Sequence, residues 1–166
     1  MTSILTPESA RLQRQVSNRW LFALWMLAKL PAALFAGVRL RALDLERCQT
    51  AIPYGWRSTN PFRSTYFAAQ AMAAELATGA LVLLAAEQAG GRFSTLIVDM
   101  RATFGKKASA TVTFTCEGGA EALAACQDAR ATGEARTIVL HAVGLLPDGA
   151  EASRFTFTWS VKARRT

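Results

Sequence analysis

The stretch from Ser58 to Gly79, STNPFRSTYFAAQAMAAELATG, most constrains how this 166-residue chain folds. Its second half predicts a helix with small or apolar residues on almost every side, which is typical of a buried helix. Glu75 lies in the middle of that helix. An ionised carboxylate inside a core is costly unless a cation pairs with it or it takes up a proton. We therefore expect the fold to be built around this helix, with Glu75 as either half of an ion pair or part of a site.

Two positions are candidates for the start of the helix. Residues 58–60, Ser-Thr-Asn, precede Pro61, and proline suits the first helical position. Ser64 or Thr65 offers a second start, nearer the alanine-rich run. Beyond either start the many alanines keep the helix slim, so that a sheet or a thin acyl chain can approach it closely.

Few polar side chains accompany Glu75 in this stretch. Gln70 lies five residues before it, about 140° away around an ideal helix, so the two do not pair within the helix. One interpretation is structural, with Glu75 held in an ion pair by Arg63 or by a lysine. The other is functional: apolar surroundings raise the pKa of Glu75, which then acts as a general base or orients water.

The length is that of one domain with a core of its own. Apolar residues make up 51% of the chain and charged residues 19%, which excludes a disordered protein. The formal net charge of +7 favours an anionic partner, such as a phosphate-bearing small molecule or an anionic membrane, or serves solubility alone. No segment interleaves aromatic and basic residues as single-strand binders do, so no nucleic-acid partner is expected.

The three cysteines, Cys48, Cys116 and Cys126, do not have the spacing of metal ligands. They predict a reduced, cytoplasmic protein without a metal site. The phosphate-binding and dinucleotide-binding glycine motifs and the G-x-S-x-G elbow are absent from the sequence, so no cofactor is expected. The single histidine, His141, alternates with valines and is expected to be a strand residue.

The most hydrophobic run, Trp20 to Val38, follows three arginines and is interrupted by Lys29 and Pro31. It is therefore short for a membrane span, and it predicts two short amphipathic helices broken near Pro31 and ended by Gly37. We expect residues 1–37 to form an N-terminal helical segment packed on the domain, and residues 38–166 to form the domain. The basic flank and the two tryptophans also suit a helix at a membrane surface, and this alternative stays open.

From Val38 onward the periodicity changes to two, which predicts about five or six strands. They are expected within 38–53, as one bent or two short strands, and at 94–106, 111–116, 137–143 and 154–164, with turns at 105–107 and 147–149. One face of the 94–106 strand is expected to carry Leu96, Val98, Met100, Ala102 and Phe104. The inner face of the last strand is expected to carry Phe155, Phe157, Trp159 and Val161.

Alternation with one polar face predicts an antiparallel sheet. A short helix over 119–132, stopped by Gly133, interrupts the strand series. The element order, with one long central helix, predicts an α+β fold in which a curved antiparallel sheet wraps round that helix.

The spacing from Asn60 to Glu75 resembles a motif of the hotdog-fold superfamily of acyl-CoA thioesterases and dehydratases. In the branch similar to phenylacetyl-CoA thioesterase, an Asn is followed by a Gly, by His-Gly-Gly, and by an Asp or Glu inside the central helix. Here Arg63 stands in the place of the Gly, and Tyr66-Phe67-Ala68 stands in the place of His-Gly-Gly. The segments RSTYFAAQAMAAELATG, FGKKA and TFTWSVKAR are more closely similar to a hotdog branch catalogued as a domain of unknown function.

The resemblance implies a hotdog subunit that forms a homodimer by joining two sheets edge to edge, and pairing of dimers into a tetramer stays open. It implies active sites at the subunit interface, where one subunit supplies the helix start and the other the carboxylate. The catalytic residues would then be Glu75, Asn60 and Tyr66, and the substrate-binding residues Arg63, Phe67, Ala68 and Gln70.

Lys106 and Lys107 occupy a turn, where they either meet the phosphates of coenzyme A or form a solvated tip. Three functions follow from the sequence. The chain is a thioesterase for acyl-CoA or acyl-carrier-protein substrates, or a hotdog protein that binds an acyl group or lipid without cleaving it, with or without a membrane. The third possibility is that Glu75 has only a structural role.

Overall fold

The computed structural model describes residues 5–164 of the chain. The helices are α1 (Pro7–Ser17), α2 (Arg19–Lys29), α3 (Pro31–Ala36), α4 (Phe67–Gln88) and α5 (Gly119–Thr132). The strands are β1 (Arg39–Leu43), β2 (Cys48–Ile52), β3 (Phe93–Phe104), β4 (Val112–Cys116), β5 (Arg136–Leu145) and β6 (Glu151–Ala163). These strands form one antiparallel sheet in the order β1-β2-β4-β5-β6-β3, which curves round α4. The predicted α+β fold is confirmed.

The core lies between α4 and the inner face of the sheet. Phe155, Phe157, Trp159 and Val161 of β6 are all buried there, so the inner face predicted for the last strand is confirmed. The indole N–H of Trp159 donates to the hydroxyl of Thr78 on α4 at 3.1 Å. The buried polar groups of Trp159 and Thr78 are therefore satisfied by each other, as burial requires.

α4 begins at Phe67, later than either expected start. Asn60 is the reason, because its side-chain oxygen accepts the amides of Phe62 and Ser64 at 3.0 and 3.2 Å and draws residues 60–64 into a turn. Arg63 completes that turn with φ 57°, a left-handed conformation that no helix continues. Of the two candidate starts, the one at Pro61 is therefore wrong, and α4 begins closer to the second, Ser64 or Thr65.

β3 departs from the predicted alternation. The register against β6 shifts between Ile97 and Asp99, so Leu96 lies opposite Ser160 on the outer face while Met100 lies opposite Phe157 on the inner face. A bulge adds one residue to the strand and moves the following side chains to the other face. The prediction of one continuous apolar face from Leu96 to Phe104 is wrong for this reason.

The two predicted turns have different roles in the sheet. Residues 147–149 close the β5–β6 hairpin, as expected. Residues 105–107 instead leave the sheet edge, because β3 pairs with β6 at that edge while β4 lies between β2 and β5.

The N-terminal helices pack on the body of the fold. On α1, the hydroxyl of Ser9 donates to the side-chain oxygen of Gln88 at 2.6 Å, and the amide of Gln13 donates to the carbonyl of Leu43 at 2.7 Å. The break between α2 and α3 at Pro31 and the end of α3 at Gly37, with φ +89°, agree with the prediction. The division of the chain at residue 37 stays a prediction.

Among residues 5–164, one helix, α4, is long and apolar enough to cross a membrane by length and composition. Of its most apolar window, 61% is buried inside the protein. That burial is typical of the core helix of a folded domain.

Candidate active site

Glu75 lies on the wall of an apolar cavity of about 250 Å³. The N-terminal helices form one side of this cavity, and α4 with the edge of the sheet forms the other. The apolar residues that line it include Leu12, Val16, Phe22, Trp25, Leu83 and Trp159. A Cβ at Gly79 would lie 3.2 Å from a carboxyl oxygen of Glu75 and 3.3 Å from the ring of Trp159. Glycine at position 79 thus leaves room for both groups against the helix.

Burial raises the pKa of the Glu75 carboxyl above its usual range. Within residues 5–164 no cation forms an ion pair with this carboxylate and no side chain donates a hydrogen bond to it. Arg63 is exposed in the loop before α4. The ion pair considered from the sequence is therefore not formed in the described part of the chain.

The start of α4 presents backbone donors at the surface. The amides of Phe67 and Ala68 belong to the first helical turn, which has no acceptors within the helix, and no side chain caps it. The helix dipole adds partial positive charge at this end. The rings of Tyr66 and Phe67, 46% and 54% exposed, meet edge to face with centroids 4.9 Å apart beside these amides.

Gln70 holds this helix start in place. Its side-chain N–H donates to the carbonyl of Thr65 at 2.9 Å, and its side-chain oxygen accepts the hydroxyl of Ser153 at 2.8 Å. The amide of Thr65 in turn donates to the carbonyl of Ala108 at 2.7 Å. Both ends of the buried Gln70 side chain are thus used inside the protein, and the helix start is tied to β6 and to the segment after β3.

Asn60 and Arg63 shape the loop that leads into α4. The side-chain oxygen of Asn60 accepts three hydrogen bonds from Phe62 and Ser64, including the Ser64 hydroxyl at 3.2 Å. Arg63 has its backbone in the left-handed region, which glycine adopts without strain.

The two lysines lie in the segment after β3, and both are exposed. The ammonium group of Lys106 pairs with Asp148 at 2.6 Å, which links the two turns at this end of the sheet. Lys107 forms no ion pair within residues 5–164. Lys107 immediately precedes Ala108, whose carbonyl accepts the amide of Thr65 beside the helix start. Of the two lysines, Lys107 is therefore the one available to an anionic ligand near that start.

Within a single subunit, the predicted site residues thus lie in two separate places. Asn60, Arg63, Tyr66, Phe67, Ala68, Gln70 and Lys107 gather around the helix start. Glu75 lies eight residues beyond Phe67, about 12 Å along the helix axis. The sequence did not reveal that Leu12, Phe22 and Trp25 line the cavity. Their helical spacing indicates an apolar helix face, but it does not indicate which part of the protein that face packs against.

β3 is a long edge strand with large apolar side chains exposed to solvent. Leu96, Val98, Met100 and Phe104 are 64%, 52%, 47% and 53% exposed. An edge of twelve residues with unpaired backbone groups and apolar side chains is a template for pairing with another strand.

The three cysteines are buried and free, and burial raises the pKa of the Cys126 thiol to about 11. They are inert as nucleophiles in this state, because the thiolate is the reactive form. Between residues 5 and 164 no group of three or more His, Cys, Asp or Glu side chains is placed to hold a metal ion.

A six-stranded antiparallel sheet wrapped round a long central helix is the hotdog fold, and solved structures share it. PA5026 from Pseudomonas aeruginosa, described as a probable thioesterase, is 16% identical and matches 97% of this chain and 99% of its own, with a TM-score of 0.73. Thioesterase HI1161 from Haemophilus influenzae is 14% identical over 84% of this chain and 88% of its own, with a TM-score of 0.63. PaaI from the phenylacetic acid degradation operon of E. coli is 14% identical over 93% and 96%, with a TM-score of 0.60.

No significant match to a curated protein was found. The family model described as "Domain of unknown function (DUF4442)" matches residues 18–161, and the chain belongs to that family.

Proposed function

We propose that this protein is a homodimeric hotdog thioesterase that hydrolyses acyl thioesters of coenzyme A or acyl-carrier protein between its subunits. Glu75 is the observation that carries the proposal: a carboxylate of raised pKa, without a partner among residues 5–164, on the wall of an apolar cavity. The structurally similar proteins that are described as thioesterases support the same reaction class.

The exposed faces of β3 and α4 support the dimer. On α4, Ala68, Ala71, Met72 and Glu75 form a stripe that the rest of the chain covers incompletely. When a twofold axis at Ala71 relates two antiparallel copies of α4, each residue after Ala71 lies opposite the partner's residue that is equally far before Ala71. The partner subunit's Phe67 then lies opposite Glu75, and the two halves of the site meet.

In this arrangement the acyl chain occupies the cavity beside Glu75. The thioester oxygen accepts the amides of the partner subunit's Phe67 and the partner subunit's Ala68, which stabilise the oxyanion. Glu75 takes a proton from water as the water oxygen bonds to the thioester carbonyl carbon. The carbon–sulfur bond then breaks to give the carboxylic acid, and the departing thiolate receives the proton from Glu75. Asn60 and Tyr66 position water or carbonyl, and Arg63 and Lys107 contact phosphates of the carrier.

The direct test is thiol release from short, medium, long and aromatic acyl-CoAs by the wild type and by Glu75→Gln. We expect hydrolysis by the wild type and a loss of at least about 100-fold in the variant with the fold retained, because a glutamine cannot accept the proton. Equal turnover in both proteins would contradict the role of Glu75.

A mixed dimer tests whether the site spans two subunits. Phe67→Pro removes one amide donor, and proline fits this first helical position after the extended Tyr66. Glu75→Gln and Phe67→Pro subunits, each poorly active alone, form mixed dimers with one intact site, and we expect about a quarter of the wild-type rate after random exchange. Phe67→Ala, which keeps the amide, is the matched control. No recovery in confirmed mixed dimers would place the site within one subunit.

A second candidate function is acyl binding without hydrolysis. The exposed Tyr66–Phe67 ring pair favours it, because these rings crowd the amides that would receive the oxyanion. It predicts a retained acyl ligand, detected by mass spectrometry of the native protein, together with no thiol release. A cytoplasmic location stays a prediction for either function.

A further inference from the structure

A second cavity, of about 530 Å³, lies outside the proposed active site, between α2, the end of α3 and the edge strand β1. Four arginines line it: Arg19, Arg39, Arg41 and Arg57. The guanidinium of Arg57 lies close to Gly37, 3.3 Å from where a Cβ would stand. Glycine at this left-handed position thus leaves room for Arg57 in what we name the arginine groove.

The arginine groove has no counter-charge in the described part of the chain. Within residues 5–164 no carboxylate lines it, and none of the four arginines forms an ion pair. Uncompensated guanidinium groups in a concave surface concentrate positive potential, and their planar donors suit phosphate oxygens. The groove therefore fits a phosphate-bearing partner.

The outer face of α2 is apolar, and it adjoins the groove at Trp20, which lines the groove. Trp20, Leu21, Leu24 and Leu27 are 71%, 49%, 64% and 60% exposed. They fall within about 120° on an ideal helix, opposite the buried Phe22 and Met26. The guanidinium of Arg19 lies 5.0 Å from the ring centre of Trp20, where the apolar face and the groove meet.

We infer that α2 and the arginine groove dock the protein on an anionic phospholipid bilayer. The outer face of α2 buries its side chains at the level of the acyl chains, while the four arginines bind lipid phosphates. Helices that lie in a membrane interface combine such an apolar face with basic residues at its border. The inference goes beyond thioester hydrolysis and does not depend on it.

Two other occupants explain less of this surface. A soluble phosphate compound accounts for the arginines but leaves the apolar face of α2 in water. A second copy of this chain covers α2, but a twofold contact there sets the four arginines against the same four arginines. An anionic bilayer is complementary to both features at once.

The test is co-sedimentation with vesicles of phosphatidylcholine alone and of phosphatidylcholine in which a third of the lipid is phosphatidylglycerol. We expect the wild type to bind the anionic vesicles and to be released by high salt. Arg39→Gln/Arg41→Gln should weaken binding about 25-fold, or about fivefold per arginine. Trp20→Ser/Leu24→Ser/Leu27→Ser should weaken binding even at low salt, where the arginines still attract the surface.

Lys162→Gln/Arg164→Gln is the matched control. It removes the same charge near the end of β6, which three strands separate from β1, and should bind within about twofold of the wild type. Circular dichroism and thermal unfolding verify that each variant is folded.

Four results would overturn the inference. They are equal binding to neutral vesicles, a groove variant that behaves as the control, displacement from vesicles by millimolar glycerol phosphate, and an α2 variant that changes the oligomeric state but not vesicle binding. The third would identify a soluble phosphate ligand, and the fourth a second copy of the chain.

Discussion

Among single residues, Glu75 makes the free energy of unfolding depend on pH in an unusual direction. Desolvation raises the pKa of its carboxyl, and no neighbouring cation lowers it. The folded chain therefore holds this proton more tightly than the unfolded chain does. As the pH rises from the ordinary carboxyl pKa to the raised value, the unfolded chain loses its proton first, so the free energy of unfolding falls. Above that window the cost of a buried charge remains in full.

The first prediction concerns the stability of Glu75→Gln. Because glutamine carries no charge, the variant should be at least as stable as the wild type at neutral pH, with a flatter pH dependence of the melting temperature above the ordinary carboxyl range. Thermal unfolding from pH 4 to pH 8 measures this. Glu87→Gln, on the same helix but exposed, should change little. A clear loss of stability in Glu75→Gln would instead reveal a cation supplied across the dimer.

The second prediction follows from the same pKa. A base must be ionised to accept a proton, so kcat/KM should rise with pH through the raised pKa of Glu75. The acid limb of the pH–rate profile should therefore lie above the ordinary range of glutamate. An acid limb at the usual glutamate pKa would assign the base to another group.

Arg63 carries the third prediction, which separates strain from charge. A left-handed backbone costs a non-glycine residue about 1–2 kcal/mol, while glycine adds about 0.5–1 kcal/mol of unfolded-state entropy. Arg63→Gly should therefore gain up to about 1 kcal/mol of unfolding free energy, whereas Arg63→Ala should gain none. If Arg63 contacts phosphates of the carrier, both variants raise KM and leave kcat unchanged. Urea unfolding and steady-state kinetics on both variants check the two parts separately.

Among the helices and strands, α4 and β3 have to serve two subunits in our proposal. α4 buries most of its surface in its own chain but leaves the stripe with Glu75 partly uncovered. β3 pairs with β6 on one side and leaves the other side open. In the proposed dimer, the open edge of β3 continues the sheet into the partner subunit, and the uncovered stripe of α4 faces the same helix of the partner subunit.

The fourth prediction tests this edge. Met100 is on the inner face of β3, opposite Phe157, and 47% exposed in the single chain. A lysine there would be buried unpaired in the dimer, at about 3–5 kcal/mol, so Met100→Lys should raise the dimer dissociation constant at least about 100-fold. Light scattering should show folded monomers, and hydrolysis should be lost with the dimer. Val139→Lys, on the outer face of the central strand β5, is the control that keeps the dimer.

For the molecule as a whole, the cavity beside Glu75 exists because the N-terminal helices cover the hotdog sheet and helix. Its volume of about 250 Å³ lies just below the range of about 300–1,000 Å³ typical of small-molecule sites, which suits one acyl chain. In our proposal the N-terminal segment therefore bears on substrate choice, although it lies outside the motif from Asn60 to Glu75.

The fifth prediction changes that wall. Trp25 lines the cavity and stacks on Phe22 with ring centres 5.7 Å apart. Trp25→Ala should enlarge the cavity and move the preference toward longer acyl chains, by about tenfold in relative kcat/KM for a few added methylenes. Its loss of packing should lower the free energy of unfolding by about 2–4 kcal/mol. Trp56→Ala, 80% exposed and outside the cavity, should leave the chain-length profile unchanged.

The features that local sequence decides were predicted well. α5 occupies residues 119–132 and ends at Gly133 in the left-handed conformation, and β6 alternates as its pattern indicates. The broken pair α2 and α3 follows from Pro31. Each of these depends on backbone preference and side-chain period within a few residues, which a sequence displays directly.

The features that the tertiary structure decided depend on contacts between distant segments. The start of α4 is set by the loop geometry of Asn60 and Arg63 and by the carbonyl of Ala108, and the alternation of β3 is reset by its bulge. The sequence marked Glu75 as a costly carboxylate in an apolar helix. Packing of remote helices determined that it has no partner in the described part of the chain and faces a cavity, because the solvation of a group is set by everything around it and not by its neighbours along the chain.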